Sequence, residues 1–335
     1  MNFHISGNTI HAPDYGIFVS DGNFDWSPVN RASVVNNMII SDSDYALYLD
    51  DINDIDIFHN SLKGDPAIRI NDFSGLDIRN NIFYSEHSYA FQSDDTIAGQ
   101  VIDYNLYFTP EGNNRFVQAS TGLIYSNLAN WKLSMPVLNS SSVENDPLFK
   151  DEADLHVQGF YANDIGDNSV NISLDIDGDV RPMAPSSTVD IGADEFVPLT
   201  RDAVFFSFYE PTNYVCGNSS MPVIIILYNL GDTIFSMPVA VNITGDINQS
   251  FVYQYDDTLL FDQYDTVTVG YINAYEGGHL VFSGFTSLPG EENPLNDMII
   301  DHSITIIPVE PHGSNALVCE ADTAILHATP YYPVF

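Results

Sequence analysis

Acidic and aromatic side chains recur in register through the first hundred residues. Four strips align: Tyr15-Gly-Ile-Phe-Val-Ser-Asp21, Tyr45-Ala-Leu-Tyr-Leu-Asp-Asp51, Pro66-Ala-Ile-Arg-Ile-Asn-Asp72 and Tyr89-Ala-Phe-Gln-Ser-Asp-Asp95. Alternate positions form one column of Phe18, Tyr48, Arg69 and Gln92. A second holds Ser20, Asp50, Asn71 and Asp94, and beside it run Asp21, Asp51, Asp72 and Asp95. Stacked acids repel unless a cation, a hydrogen bond or a proton relieves them. Asp50, Asp51, Asp72, Asp94 and Asp95 are therefore candidate ligands for Ca²⁺, which takes several carboxylate oxygens. Arg69, in their midst, could clamp the carboxylate of an acidic sugar, with Tyr48, Gln92 and Asn71 as flanking ligand contacts. Phe24 and Trp26 sit in a loop, Gly22 to Pro28, that lengthens the first repeat; their rings suit the apolar face of a pyranose. A structural reading competes at every position. The last Asp of each strip lies where the chain turns, and a turn Asp commonly bonds its own backbone. Arg69 then neutralises its neighbours, and Trp26 folds back onto the body. Carboxyl pairs at the roughly 5–9 Å that a glycosidase needs arise in any such stack, so their spacing alone selects nothing.

The elements that must position these columns repeat as well. Around Asn8, Asn37, Asn60, Asn81 and Asn105, apolar residues stand three before and two after the Asn: Ile5/Ile10, Val34/Ile39, Ile57/Leu62, Ile78/Phe83 and Ile102/Tyr107. Successive Asn positions are 29, 23, 21 and 24 residues apart. Within each strip the apolar period is two, the period of a β-strand. So short a repeat has no room for a crossover helix. It suits coils of short parallel strands stacked about 4.8 Å apart. Ile17, Leu47, Ile68 and Phe91 then point inward, as do Val19, Leu49 and Ile70, with Ser93 breaking the second column. Gly16, Ala46, Ala67 and Ala90 fit a tight corner. An Asn at each turn can bond the Asn one rung away and tolerate left-handed geometry.

These Φ-x-Φ-x-x-N-x-Φ units and small-Φ-x-Φ strips resemble the right-handed parallel β-helix family, the pectate-lyase-like solenoids. The resemblance implies a fold and no single activity, because this architecture hosts lyases, hydrolases, epimerases and adhesins. It also implies that a site would lie on the outer face of the strips, where Arg69 would be the candidate base of a lyase. No polygalacturonase signature is present; Ser93-Asp-Asp95 and Arg69-Ile-Asn71 match its motifs only faintly and in the wrong order. His59 and His87 are isolated and read as structural. Residues 109–196 lose the strand period, with a short helical turn expected at Leu128–Leu133. Their phrases Asp175-Ile-Asp-Gly-Asp-Val-Arg-Pro182 and Val189-Asp-Ile-Gly-Ala-Asp-Glu-Phe196 are similar to closing segments of secreted bacterial β-helix proteins. Such a segment is expected to cap the open end of the solenoid. Asp175, Asp177 and Asp179 do not make an EF-hand, since Gly178 stands fourth rather than sixth and Ser186 replaces the bidentate Glu. From 201 to 308, short strands with turns at Asn229-Leu-Gly231 and Glu276-Gly-Gly278 resemble an immunoglobulin-like β-sandwich.

The expected class is thus all-β: parallel β-helix coils over 1–125, a closing segment over 126–197, an immunoglobulin-like sandwich over 201–308, and the start of a further β module over 309–335. Nine Lys and Arg face 46 Asp and Glu, a formal net charge of −37. That excludes nucleic acid, whose binding needs Lys and Arg to displace counterions, and disfavours anionic lipid. No apolar run reaches membrane-spanning length. Only Cys216 and Cys319 are present; a bond between them would join different modules and is not expected. Met1 runs straight into a repeat and the chain stops abruptly at Phe335, which reads as a piece of a longer secreted surface protein. The expected function is non-catalytic binding or adhesion to polysaccharide or a cell-surface glycan. The alternatives are a lyase or hydrolase of acidic glycans acting through Arg69 and the Asp columns, and a purely structural stalk.

Overall fold

The computed structural model describes residues 3–20, 31–110 and 115–308. The chain divides into two compact units, 1–198 and 199–335.

The first unit contains a parallel β-solenoid of about four turns. One sheet joins His4–Ser6, Ala32–Val35, Leu47–Phe58, Ile68–Arg79, Phe91–Ser93 and Val117–Ser120 by parallel pairing. Ile17–Val19 and Val101–Asp103 join its flanks, also in parallel. A second parallel sheet runs through Thr9–Ala12, Met38–Ser41, Ser61–Lys63, Ile82–Tyr84, Leu106–Phe108 and Val143–Glu144. Register is as the alignment of strips requires: Ile17 pairs with Leu47, Leu47 with Ile68, and Ile68 with Phe91. The inward columns fill one core with Leu47, Leu49, Ile68, Ile70 and Phe91. Ser93, in the break of the second column, is buried and turns its hydroxyl onto the backbone of Asp95. The Gly16 corner is tight enough that a Cβ there would stand 2.3 Å from the Ala46 carbonyl oxygen. In the middle coils two expected strands are one. Leu47–Phe58 and Ile68–Arg79 each run twelve residues, bending at left-handed Asp51, Asp54 and Asp72 instead of stopping.

The Asn column is a continuous ladder. The side-chain oxygen of Asn60 accepts the backbone and amide N–H groups of Asn37, and Asn81 does the same for Asn60, at 2.9–3.1 Å. Asn105 serves Asn81 likewise, and the Ser142 hydroxyl ends the series by accepting from the Asn105 N–H. The left-handed residue is not the ladder Asn but the one before it: Gly7, Asn36, His59, Asn80 and Tyr104.

The segment after 125 does two jobs, and the one expected of its terminal phrases falls to another part. The end of the coil stack is covered by the helix Leu128–Ser134, capped by the Asn127 side chain. Its buried Trp131 lies against Phe91, Tyr107 and Tyr125. Residues 146–196 instead lie along the side of the second sheet. Leu155 and Ala193 pack on Met38 and Ile40, and Val157, Ala162 and Ile191 on Ile82 and Leu106. The outer face of that sheet carries apolar side chains, so the clasp must lie across several coils to cover them. Its own fold is set by a buried ion pair, Arg181 to Glu195 at 2.8 Å.

The second unit has two antiparallel sheets. One orders Ala203–Glu210, Met221–Asn229 and Gln263–Ile272; the other Gln249–Tyr255, Met237–Gly245, Gly278–Thr286 and Met298–Ile306. Both contribute to one core around Phe205, Val223, Val241 and Phe282. Gln249–Tyr255 pairs with Met237–Gly245 alone. It is an edge strand with three of its seven residues exposed, which weakens its apolar signal. Cys216 is disulfide-bonded. Cys216 bridges in parallel to Ile307, the residue after the strand Met298–Ile306. Cys319 and the expected module over 309–335 lie outside the described residues. No helix among the described residues is long and apolar enough to cross a membrane.

Candidate functional site

The outward column of the strips is a single surface. Phe18 pairs with Tyr48, Tyr48 with Arg69, Arg69 with Gln92, and Gln92 with Gln118. At the parallel spacing these five rungs span about 19 Å. Two more rings turn onto the upper end from the corner position. Tyr15 stacks on Tyr45 at 5.8 Å and 18°, and Tyr45 meets Tyr48 at 5.0 Å, which meets Phe18 at 4.9 Å. Tyr15 and Phe18 are more than half exposed. The Arg69 guanidinium lies over both Tyr45 and Tyr48, at 5.6 and 5.4 Å from their centroids.

Arg69 is held on every side. It donates to the Tyr45 hydroxyl at 2.9 Å and to Asp94 Oδ2 at 2.6 Å. Burial alone would lower its pKa, but the bonds to Asp94 and Tyr45 outweigh that and raise it. A base must first lose a proton, so an arginine held this way is suited to positioning and not to proton abstraction. Its Nε is buried without a hydrogen-bond partner, because the flanking rings give it none.

The acidic columns disperse into local roles. Asp94 uses its second oxygen to accept from Gln118 at 2.7 Å, and its N–H donates to Asn71. The Asn71 amide reaches toward the Tyr48 hydroxyl at 3.3 Å. Asp95 accepts the Asp72 N–H at 2.7 Å. Asp51 and Asp72 occupy left-handed turn positions, and Asp50 pairs across to Asn71. No three of Asp50, Asp51, Asp72, Asp94 and Asp95 bring ligand atoms within 4.8 Å of one another. Among the described residues only His156, Asp177 and Asp194 do so. Phe24 and Trp26 lie outside the described residues.

The sequence reading thus found Tyr48, Arg69, Asn71, Gln92 and Asp94 on one face, and the structure brings them together. It missed Tyr15 and Tyr45 as members of that face, although both open aligned strips. Gln118 was missed because residues 111–116 interrupt the repeat before it. His59 is buried, its Nδ1 facing the Gly192 carbonyl at 3.3 Å, with burial holding its pKa well below the usual range. That fits the structural role expected of it.

No family model, curated protein or solved structure matches this chain.

Proposed function

We propose that the chain is a secreted, modular surface protein whose solenoid binds a neutral polysaccharide without cleaving it. In this reading the solenoid is of the right-handed, pectate-lyase-like kind, and the second unit is an immunoglobulin-like sandwich that acts as a spacer. The observation that carries the proposal is the ladder Tyr15, Tyr45, Tyr48, Phe18, continued by Arg69, Gln92 and Gln118. Rings offer faces to the C–H side of sugars, and amides and a fixed guanidinium offer hydrogen bonds to hydroxyls. An extended chain of sugars laid across the rungs would meet both in turn.

Two facts favour a neutral ligand over an acidic one. The charge of Arg69 is already balanced by Asp94, and the chain carries −37 overall, which repels polyanions. The lyase reading has less support, because it needs Arg69 free to exchange a proton, and the hydrolase reading has less because it needs a free carboxyl pair, whereas both oxygens of Asp94 are engaged. Calcium has no part in the proposed contact, since the carboxylates of Asp94 and Asp95 are engaged with Arg69, Gln118 and the Asp72 N–H.

Affinity electrophoresis through soluble β-glucan, mannan, xylan, polygalacturonate and alginate tests the proposal. At least one neutral glycan should retard the protein. Tyr48→Ala should weaken that retardation about tenfold, the equivalent of about 1.4 kcal/mol, while Phe235→Ala on the second unit should not. Retardation by the acidic glycans alone, or equal retardation of Tyr48→Ala, would refute it.

A further inference from the structure

We propose that His156, Asp177 and Asp194 form a site for a divalent transition-metal ion of the zinc type, with Asp154 orienting the imidazole. The three ligand residues come from three separate stretches of the side clasp. His156 lies on the strand Asp154–Val157, whose alternation buries Leu155 and Val157 and turns Asp154 and His156 to the other face. Asp177 is presented by a turn fixed from within: Asp175 Oδ1 accepts the N–H groups of Asp177, Gly178 and Asp179 at 2.8–2.9 Å. Asp194 belongs to the terminal phrase, anchored on either side. The Ala193 N–H donates to the Ser61 hydroxyl and the Glu195 N–H to Asp175 Oδ2. One ligand atom of each residue lies within 4.8 Å of the others.

Two independent features point to a cation. The first is the imidazole. Its Nδ1 is hydrogen-bonded to Asp154, and its Nε2 faces Asp177 Oδ2 at 2.8 Å. With Nδ1–H donating to the Asp154 carboxylate, Nε2 turns a lone pair toward the Asp177 carboxylate, and a positive charge must lie between them, either a proton or a metal. A carboxylate behind a ligating histidine is the usual outer partner that fixes its tautomer and raises its basicity. The second feature is Asp194. It is only 7% exposed, and its one hydrogen bond among the described residues is a long 3.4 Å contact from the Val157 N–H. No Lys or Arg among the described residues forms an ion pair with it; the nearby Lys150 pairs with Asp154 instead. A divalent ion would satisfy Asp177 and Asp194 together.

The donor set selects the metal. One imidazole nitrogen with two carboxylates suits zinc and its neighbours, whereas calcium takes oxygen ligands throughout. Three protein ligands leave a position for water. His156 and Asp177 are partly exposed, so an ion can enter. Bound there, it would tie the 154–157 strand, the 175–179 turn and the terminal phrase to one another, a structural staple for the clasp.

The test uses the full chain, stripped with chelator and titrated separately with Zn²⁺, Co²⁺ and Ca²⁺. Calorimetry and the melting temperature are followed for each, and the visible spectrum for Co²⁺. One equivalent of Zn²⁺ should bind and raise the melting temperature, and Co²⁺ should give a visible band that Zn²⁺ abolishes. His156→Ala, a change at a partly exposed side chain, should remove that equivalent and the band. Asp154→Asn should keep the stoichiometry and weaken affinity about tenfold or more. Asp194→Asn, if it folds, should behave as His156→Ala; if it does not, His156→Ala decides alone. Zn²⁺ binding of equal stoichiometry and affinity in His156→Ala, no saturable Zn²⁺ binding, or preference for Ca²⁺ would each overturn the proposal.

Discussion

At the scale of single residues, the chain places titratable groups where burial and neighbours give them unequal tasks. Arg69 is the clearest case, since its bonds to Asp94 and Tyr45 turn a candidate base into a fixed donor. Glu291 of the second unit shows the opposite displacement. Burial pushes it up to about 7, against the hydrogen bonds it accepts from Ala203 and Asn293. The sign of the consequence follows from linkage. A carboxyl whose pKa is higher folded than unfolded favours folding fully below its unfolded pKa. That contribution disappears as pH rises through the folded value. Between about pH 4.5 and 7, stability measured by urea unfolding should therefore fall with rising pH more steeply in the wild type than in Glu291→Gln. Equal slopes for the two proteins would show that Glu291 does not titrate in this window.

Elements show how far a repeat can be read and where reading stops. The Asn ladder was legible because each rung repeats one local conformation, so five Asn in register carry the same message five times. Its energetics should grade along the stack. Asn60→Ala leaves the buried Asn37 N–H without its acceptor and removes donors to Val34 and Phe58. That should cost about 3 kcal/mol, at roughly 1–3 kcal/mol for each orphaned buried group. Asn8→Ala, at the exposed first rung, should cost less than about 1 kcal/mol. Chemical denaturation of both variants checks the gradient, and equal losses would contradict it. What was not legible has a common cause. The merging of two strips into Leu47–Phe58 depends on Asp51 and Asp54 accepting left-handed geometry in mid-strand, a choice enforced by pairing with the next coil. The side clasp has no period, so nothing local signals that His156, Asp177 and Asp194 converge, or that Leu155 and Ala193 land on Met38 and Ile40. The outer columns were legible as positions. The partners that hold them were not, because Gln118, which bonds Asp94, and Tyr45, which bonds Arg69, come from neighbouring rungs.

For the molecule as a whole, net charge points the same way as the outer face of the solenoid. A chain with 46 acidic and nine basic residues repels polyanions, and its ladder of rings and amides suits an uncharged chain of sugars. In the proposed function this outer face binds such a chain and leaves it intact. The most direct measurement is calorimetric titration of the full chain with an oligosaccharide of the neutral glycan that retards it, followed by mass analysis of the same sample after prolonged incubation with and without calcium. Saturable binding that Tyr48→Ala weakens about tenfold is expected, with the oligosaccharide recovered at its original length. Shortened or unsaturated products, formed by the wild type and lost in Arg69→Ala, would contradict it.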